Sequence, residues 1–390
     1  MPGSRNWWAC RSRKDAAAGL AQHNLLTVKH LPSLRDDASA AGTERGLRIV
    51  AIGGGTGLAT LLVGLKVHVG REIGLPGDGL TAIVTVTDNG GSSGRLREEF
   101  NILPPGDIRN CMVALAEDEQ LLTRLFRYRF AGDGTLGGHS FGNLFLTALT
   151  DVMGDFVEAI KTSAEVLAIK GRIYPSTRDE VHLVAELDDG RLVHGEQEIA
   201  RAGSPVSRVS LSNRACRPLP ETLEAIAHAD LIVLGPGSLY SSLIPNLLVP
   251  GVAAAIERSR APKLYVCNCM TQKGETSGYT VEDHLAALIR HAPGFVPDVV
   301  LASPLRVSEA TRSKYLAEGA DQVMLGFGHP GELPPPGESV VSLPGMPGRS
   351  ARLLAMNVMD ESAVVRHDAS RLAMVVLDIA SAARSRIAVS

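Results

Sequence analysis

The stretch that decides the fold is RIVAIGGGTGL, residues 48–58. Residues 47–52, LRIVAI, are strand-like and apolar apart from Arg48, and residues 53–57 are almost all glycine. From Leu58 to Val69 apolar side chains recur at helical spacing. We therefore predict a strand, a glycine loop and a helix in immediate succession, which is typical of the first unit of a βαβ fold.

Apolar strands and helical segments continue to alternate along the chain. Further strands are predicted at residues 80–87, 231–234, 263–268 and 299–302. Short, fully apolar strands separated by helices indicate a parallel sheet with both faces covered. The Asp-Gly turn within VHLVAELDDGRLVH, residues 181–194, indicates a β-hairpin. The predicted class is α/β, a Rossmann-like three-layer fold with a mostly parallel sheet and a β-hairpin insertion.

The chain divides into three predicted segments. Residues 1–46 lack the continuous apolar segment of a secretory signal, and we predict a disordered N-terminal extension there. Residues 47–325 form a nucleotide-binding domain with the hairpin inserted near 175–215. Residues 326–390 belong to the same domain as a Pro/Gly-rich part, irregular up to residue 349, and a closing helix over 370–387.

The composition excludes several classes of function. The 390 residues carry 39 basic and 42 acidic side chains, which gives a net charge of -3. This charge balance does not provide the excess of positive charge with which proteins bind a nucleic-acid backbone. No apolar run approaches the roughly 20 residues of a membrane-spanning helix. The five cysteines are scattered, without the paired CxxC units of a zinc site, and suit a reducing compartment. We expect a cytoplasmic protein that binds no nucleic acid and does not span a membrane.

Four polar loops lie where an open parallel sheet binds its ligands, beyond strand ends and at helix starts. The first lacks a Cβ at four of five positions, so its backbone can approach phosphate oxygens closely. It is neither a GxGxxG fingerprint nor a Walker loop, and a tight turn without a ligand is the alternative. The predicted phosphate-binding residues are Gly53, Gly54, Gly55, Thr56 and Gly57.

The second loop starts with Asp88 and Asn89 and continues GGSSGR. Asp88 is a candidate ligand for Mg²⁺, which combines one or two carboxylates with substrate phosphates; turn capping is its alternative role. In PPGDIRN, residues 104–110, Asp107 is either a helix N-cap or a site residue. Arg109 and Asn110 add hydrogen-bond donors for phosphate or carboxylate.

The third loop, GGHSFGN at residues 137–143, places three polar side chains at a helix start, namely His139, Ser140 and Asn143. His139 is either structural or a donor to phosphate. The fourth loop, LGPGSLYSS at residues 234–242, contributes Gly235, Gly237 and Ser238. The Ser238 hydroxyl caps a helix, contacts a phosphate, or does both. No Ser-His-Asp order can be defended from the spacing of these residues alone, which disfavours a hydrolase triad.

Together these loops resemble the gluconeogenesis factor (YvcK-like) family, which is related to 2-phospho-L-lactate transferase (CofD-like). The strings that carry the resemblance over residues 48–320 are IVAIGGGTGL, VTVTDNGGSSGRLREEF, LPPGDIRN, GHSFGNL, LGPGSLYSSLIPNLLV and CNCMTQKGETSGYT, and RHD follows at residues 366–368. The resemblance implies a Rossmann-like sheet with a nucleotide at its carboxyl edge. For the regulatory branch it implies a UDP-sugar such as UDP-N-acetylglucosamine.

Carried over by position, the resemblance assigns residues 53–57 and 235–238 to the phosphates, and Asp88 and Asn89 to a metal or the reactive end. It assigns residues 271–279, from Thr271 to Tyr279, to the nucleotide or sugar, with Tyr279 stacking on a ring. Asn268, just before them, is a further ligand-binding candidate. The transferase branch uses Mg²⁺ at the position of Asp88, whereas NGGSSGRL and LPPGDIRN look like the regulatory branch.

Two functional hypotheses follow. The first is a UDP-sugar sensor, a gluconeogenesis factor that affects carbon partition and cell morphogenesis through an unidentified regulatory protein partner, and that binds without turnover. The second is a Mg²⁺-dependent transferase in which Asp88 holds the metal beside a nucleotide diphosphate. An NAD-dependent dehydrogenase is disfavoured because residues 73–76, about 20 positions beyond the glycine loop, lack the expected acidic residue. Both hypotheses are compatible with a homodimer.

Overall fold

The computed structural model describes residues 46–71, 75–117, 121–362 and 364–389. The predicted disordered extension therefore lies outside the described residues, except for Gly46. The strands are β1 Ile49–Gly53, β2 Leu80–Val84, β3 Arg172–Pro175, β4 Leu183–Leu187, β5 Leu192–His194, β6 Val206–Leu211, β7 Leu231–Leu234, β8 Lys263–Val266, β9 Val299–Ala302, β10 Gly337–Ser342, β11 Ser350–Ala355, β12 Met359–Asp360 and β13 Arg366–His367. The helices are α1 Gly55–Lys66, α2 Gly91–Phe100, α3 Gly106–Leu115, α4 Leu121–Arg127, α5 Phe141–Met153, α6 Phe156–Val166, α7 Glu196–Arg201, α8 Pro220–Ala227, α9 Ile244–Leu248, α10 Val252–Arg258, α11 Val281–His291, α12 Glu309–Ala317 and α13 Ala369–Val389, and a π-helical turn, Leu239–Leu243, precedes α9.

Eight of these strands form one sheet in the order β10-β11-β9-β8-β7-β1-β2-β3. Every neighbouring pair is parallel except β10 and β11. Every residue of β1, β2, β7 and β9 is buried, so both faces of the sheet are covered. The predicted α/β class with a mostly parallel sheet is confirmed.

Strand β1 lies between β2 and β7, where the strand order changes direction. From β1 the chain proceeds to β2 on one side, whereas β7 is followed by β8 and then β9 on the other side. The loops after β1 and β7 therefore leave the sheet in opposite directions and open a crevice at its carboxyl edge. Open α/β sheets bind their ligands at such a crevice.

Helix α1 packs against α3 and α13, which fixes the position of its N-terminus at the crevice. Four leucines of α1 are buried: Leu58, Leu61, Leu62 and Leu65. A Cβ on Gly64 would lie 2.0 Å from the carbonyl oxygen of Ala369 and 2.9 Å from Cβ of Ala373. The close contact between α1 and α13 therefore requires glycine at this position.

Strands β4, β5 and β6 form a separate antiparallel sheet in the order β5-β4-β6. The hairpin indicated by the Asp-Gly turn pairs β4 with β5, and Gly190 in the turn has a φ of +82°. Strand β6, which the sequence did not predict, pairs with the other edge of β4. Helix α7 follows β5 and begins at Glu196, which the fold brings to the crevice.

Two local predictions are wrong. Residues 326–349, predicted to be irregular, contain β10, which pairs with β11 and extends the main sheet. Because β10 is an edge strand with mostly exposed side chains, it has no apolar run. The run GGSSGR, predicted as a loop, contains the first residues of α2. Ser92 and Ser93 are buried there, and tertiary packing outweighs the low helix propensity of glycine and serine.

No single helix in the described ranges is long and apolar enough to cross a membrane. One bent pair, Leu239–Leu248 with Val252–Arg258, passes the same test by length and composition, with a bend of 76°.

Candidate functional site

Two glycine loops face each other at the carboxyl ends of β1 and β7. A Cβ on Gly57 would lie 2.5 Å from the carbonyl oxygen of Pro236, and a Cβ on Gly54 would lie 2.5 Å from Oδ2 of Asp107. Gly55 has a φ of +61°, which favours glycine. The two backbones therefore form one concave wall, which we call the cradle and which comprises residues 54–57 and 236–238.

The first turn of α1 begins inside the cradle. Its N-cap residue is Gly54, which has no side chain to cap the helix. The Gly55 amide donates to the carboxyl group of Asp107, whereas the amides of Thr56 and Gly57 have no side-chain cap among the described residues. Uncapped amides at the positive end of a helix favour an anionic ligand.

A cleft of about 410 Å³ opens over the cradle. Its other walls are residues 268–272, the side chain of Tyr315 and residues 364–367. Eight of the predicted binding residues line it, namely Gly54, Gly55, Thr56, Gly57, Gly237, Ser238, Asn268 and Thr271. The volume falls in the range of roughly 300–1,000 Å³ that is typical of small-molecule sites.

Gly53 and Gly235 lie behind the cradle rather than in the cleft. The Gly53 carbonyl accepts from the Thr85 amide at 3.0 Å and from Nδ2 of Asn246 at 2.9 Å. The Gly235 amide donates to the Ile52 carbonyl at 2.9 Å. These two glycines therefore attach the loops to the sheet.

Side chains that follow β8 hold the second cradle loop in place. Asn268 donates through Nδ2 to the Gly237 carbonyl at 2.9 Å and accepts through Oδ1 from the Gly237 amide at 3.4 Å. Gln272 donates through Nε2 to Oγ of Ser238 at 2.8 Å, which leaves the hydroxyl proton of Ser238 for a ligand. Thr271 accepts through Oγ1 from the Asp321 amide at 2.9 Å. A ligand would therefore meet a loop whose shape is already fixed.

The wall opposite the cradle carries Arg366 and His367. The Arg366 side chain is half-exposed, and its guanidinium lies 4.0 Å from the Asp360 carboxylate. Burial lowers the pKa of His367 to about 4, and its Nε2 lies 3.2 Å from the Cys267 carbonyl oxygen. At neutral pH His367 is therefore uncharged, and the positive charge on this wall comes from Arg366.

Four carboxyl groups gather near the end of β2: Asp88, Asp107, Glu196 and Glu275. Burial, together with the charge of Asp88, raises the pKa of Asp107 and that of Glu196 to about 7. Burial also raises the pKa of Glu275, although Ser241 and Tyr240 donate hydrogen bonds to it. This edge of the crevice can therefore exchange protons near neutral pH.

Asp88 and Asp107 both have defined backbone partners. Oδ1 of Asp88 accepts from the Gly90 amide at 2.7 Å, which is the turn cap considered as its alternative role. Helix α3 has Pro105 as its N-cap residue, so Asp107 lies within the first turn and accepts from Gly55 instead of capping its own helix. Within the described ranges no three His, Cys, Asp or Glu side chains form a metal-binding group. Asp88 as a ligand for Mg²⁺ stays a prediction, in which phosphates and water would complete the shell.

The side chains of His139, Ser140 and Asn143 are buried and do not line the cleft. Oγ of Ser92 lies 3.0 Å from Nδ1 of His139 and accepts from Nδ2 of Asn143 at 3.1 Å. Oγ of Ser140 caps α5 by accepting from the Asn143 amide at 3.2 Å. Burial lowers the pKa of His139, which favours the neutral ring. His139 and Asn143 therefore join α2 to the start of α5, and Ser140 caps α5.

Four other predicted residues also lie outside the cleft. Nδ2 of Asn89 donates to a carboxylate of α7 at 3.1 Å. The hydroxyl of Tyr279 lies 2.8 Å from that of Tyr240, and the two rings meet edge to face. Arg109 and Asn110 line an adjoining crevice between α1 and α3. The stacking role of Tyr279 stays a prediction.

Glu196 and Arg366 were not predicted as site residues, whereas Gln272 and Glu275 lie within residues 271–279, which the resemblance assigned to the nucleotide or sugar. Arg366 stands in RHD, so the polar residues of that string were the available signal. Glu196 had no signal, because it comes from the helix that follows the small antiparallel sheet.

Comparisons of the sequence and of the structure with known proteins find relatives that agree with one another. The sequence matches the family described as 2-phospho-L-lactate transferase CofD over residues 49–330. The gluconeogenesis factor of Halalkalibacterium halodurans is 47% identical over 277 residues, which cover 71% of this chain and 84% of that protein. The gluconeogenesis factor of Bacillus subtilis has the same 47% identity over 277 residues, with 71% and 84% covered. The crystal structure of a UPF0052 family member from Bacillus halodurans is 42% identical, with a TM-score of 0.74, and the match covers 85% of this chain and 99% of that chain.

Proposed function

The chain belongs to the family of 2-phospho-L-lactate transferase CofD, and on that premise we propose that its cleft binds the diphosphate of a nucleotide sugar. The observation that carries the proposal is the close approach of the two cradle loops, in which a Cβ on Gly57 would lie 2.5 Å from the Pro236 carbonyl oxygen. Backbone that no side chain shields can approach phosphate oxygens closely.

The charges around the cleft support an anionic ligand. The first-turn amides of α1 lie on one side, and the guanidinium of Arg366 lies on the other. A helix N-terminus and an arginine both favour phosphate, the first through its partial positive charge and the second through paired N–H donors. A diphosphate between them would receive hydrogen bonds from both walls.

The ligand class and physiological role rest on the relatives together with the polar side chains of the cleft. Ser238 and Asn268 offer hydrogen-bonding groups to a hydroxyl-rich sugar. Similar proteins named gluconeogenesis factor support a regulatory role. We propose a cytoplasmic protein that senses a UDP-sugar of the UDP-N-acetylglucosamine type and affects carbon partition and cell morphogenesis through a regulatory protein partner.

A transferase is the second candidate, and the acidic edge of the crevice favours it. Asp107 and Glu196, with pKa values of about 7, suit proton exchange with an acceptor. Asp88 would hold Mg²⁺, which would stabilise negative charge on the phosphates. This candidate requires consumption of a nucleotide diphosphate, whereas the sensor requires binding alone.

Calorimetric titration with UDP-N-acetylglucosamine, GDP and NAD, each with and without Mg²⁺, tests both candidates when the products of the same mixtures are analysed. Saturable binding of intact UDP-sugar, about 8 kcal/mol for micromolar affinity, supports the sensor. Consumption of a nucleotide diphosphate that depends on Mg²⁺ would support the transferase against the sensor. No binding of any of these nucleotides would contradict both.

A further inference from the structure

A second crevice adjoins the cleft on the other side of the first turn of α1. Its volume is about 290 Å³, and it lies between α1 and α3. Thr56 and Thr60 line both this crevice and the cleft. Three arginines line it, namely Arg109, Arg127 and Arg129, and we call it the arginine crevice.

The arginine crevice carries positive charge that no direct ion pair offsets among the described residues, although Asp107 and Asp88, outside its lining, attract Arg109 electrostatically. No acidic residue lines it, and within the described ranges none of the three guanidinium groups has a carboxylate within 4.0 Å. Burial is the largest cause that lowers the pKa of Arg109, and the positive charge of Arg129 is the second. The two guanidinium groups therefore repel each other. Like charges held together in a partly desolvated crevice favour the binding of an anion.

The three arginines also keep hydrogen-bond donors free. Arg109 uses one Nη2 donor for Oδ1 of Asn110 at 2.6 Å, and Arg129 uses Nη1 for the Gly138 carbonyl. Arg127 is exposed and makes no hydrogen bond to a described residue. The remaining donors form planar forks that match the spacing of phosphate oxygens.

We propose that the arginine crevice binds the phosphate group of a small phosphomonoester, as a second ligand beside the nucleotide. A phosphomonoester carries about two negative charges and three strong acceptor oxygens, which match several guanidinium groups better than one carboxylate does. The volume of about 290 Å³ suits a small metabolite, and the net charge of -3 does not favour nucleic acid. Because the crevice shares Thr56 and Thr60 with the cleft, the two ligands would be neighbours.

Calorimetric titration with inorganic phosphate and with glycerol 3-phosphate tests the proposal, with glycerol as the uncharged comparison and chloride keeping the ionic strength constant. Arg127→Gln is the informative variant, because the exposed side chain bonds to no described residue and its loss should leave folding intact. Arg124→Gln is the matched control, since Arg124 is exposed on the same helix but does not line the crevice.

We expect both phosphate probes to bind the wild-type protein, and Arg127→Gln to weaken them about tenfold or more, as for the loss of a charge-assisted hydrogen bond. Arg124→Gln should leave both affinities within about twofold. Equal affinity in Arg127→Gln and wild type, or no binding to wild type at millimolar concentration, would overturn the proposal. Failure of a nucleotide sugar to bind would contradict the proposed function but would leave the Arg127→Gln comparison unchanged.

Discussion

The hydroxyl of Ser241 donates a hydrogen bond of 2.8 Å to Oε1 of Glu275, and the amide of Tyr240 donates one of 3.2 Å to Oε2 of the same side chain. Glu275 is only 7% exposed, so these donors offset the loss of its contact with water. The bonds join the segment after β8 to the π-helical turn that follows the second cradle loop. The shape of the cradle therefore depends on a contact that lies outside the cleft.

Replacing Ser241 by alanine should destabilise the protein, because it leaves Oε1 of the buried Glu275 without this donor. We expect the free energy of unfolding to fall by about 1–3 kcal/mol, measured by urea denaturation. Ser370→Ala, at an exposed position, is the control and should change it by less than about 0.5 kcal/mol. An equal effect of the two substitutions would show that the bond to Glu275 contributes nothing specific.

Gly57→Ala should open the cradle, because the new Cβ would lie 2.5 Å from the backbone oxygen of Pro236, which has no flexible side chain to yield. Overpacking of this kind costs about 1–3 kcal/mol. We expect a lower melting temperature and weaker nucleotide binding. Gly77→Ala is the matched control, since a Cβ there meets nothing within 4 Å. Unchanged nucleotide affinity in a folded Gly57→Ala protein would argue against the cradle.

The pH dependence of stability should change in Asp107→Asn. Burial and the charge of Asp88 raise the pKa of Asp107 from 3.8 to about 7, so the folded protein holds this proton more tightly than the unfolded chain. The corresponding stability is fully present below pH 3.8 and is lost as the pH rises through about 7. The loss is on the order of 4 kcal/mol, at about 1.4 kcal/mol for each pKa unit.

Asparagine has no such proton and still accepts from the Gly55 amide, so Asp107→Asn should be more stable than wild type at pH 8 and similar at acidic pH. Urea denaturation at both pH values measures the difference. Asp151→Asn, at an exposed carboxyl group on α5, is the control. A wild-type pH profile that Asp107→Asn leaves unchanged would contradict the assignment.

Comparing Asn268→Asp with Asn268→Ala should distinguish the effect of the ligand's charge from the effect of the hydrogen bond that holds the second cradle loop. Both lose the bond from Nδ2 to the Gly237 carbonyl, but the aspartate also places a negative charge in the cleft. If the ligand is a diphosphate, Asn268→Asp should bind it more weakly than Asn268→Ala by about 1 kcal/mol or more. Calorimetry at low and high salt measures the gap, which should shrink at high salt. A tighter-binding aspartate variant would indicate an uncharged or cationic ligand.

The sequence predicted five of the eight strands of the main sheet, because fully buried parallel strands are continuous apolar runs. Strands β1, β7 and β9 have this pattern, and β2 and β8 have it apart from Thr81 and Lys263. Strand β10 is mostly exposed and carries the polar sequence GESVVS. Helix α2 escaped prediction because Ser92 is stabilised by hydrogen bonds with His139 and Asn143, far along the chain. Local patterns contain no information about such partners.

The cradle was predictable for a different reason. Only glycine permits the approach between Gly57 and Pro236, so the geometry of the cleft leaves a direct trace in the sequence. Arg366 leaves no such trace, because tertiary folding alone brings it to the cleft. His139 shows a different difficulty. A buried structural network and a phosphate site use the same residue types, so the sequence alone does not distinguish them.

The central claim is that the cradle holds the diphosphate of a nucleotide. Parallel calorimetric titrations of the wild-type protein with UDP-N-acetylglucosamine and with uridine test it most directly, because the nucleoside lacks the phosphates. We predict micromolar affinity for the nucleotide sugar and at least about hundredfold weaker binding of uridine, a difference of roughly 3 kcal/mol. Equal affinity for the two compounds, or no binding of the nucleotide sugar at millimolar concentration, would contradict the claim.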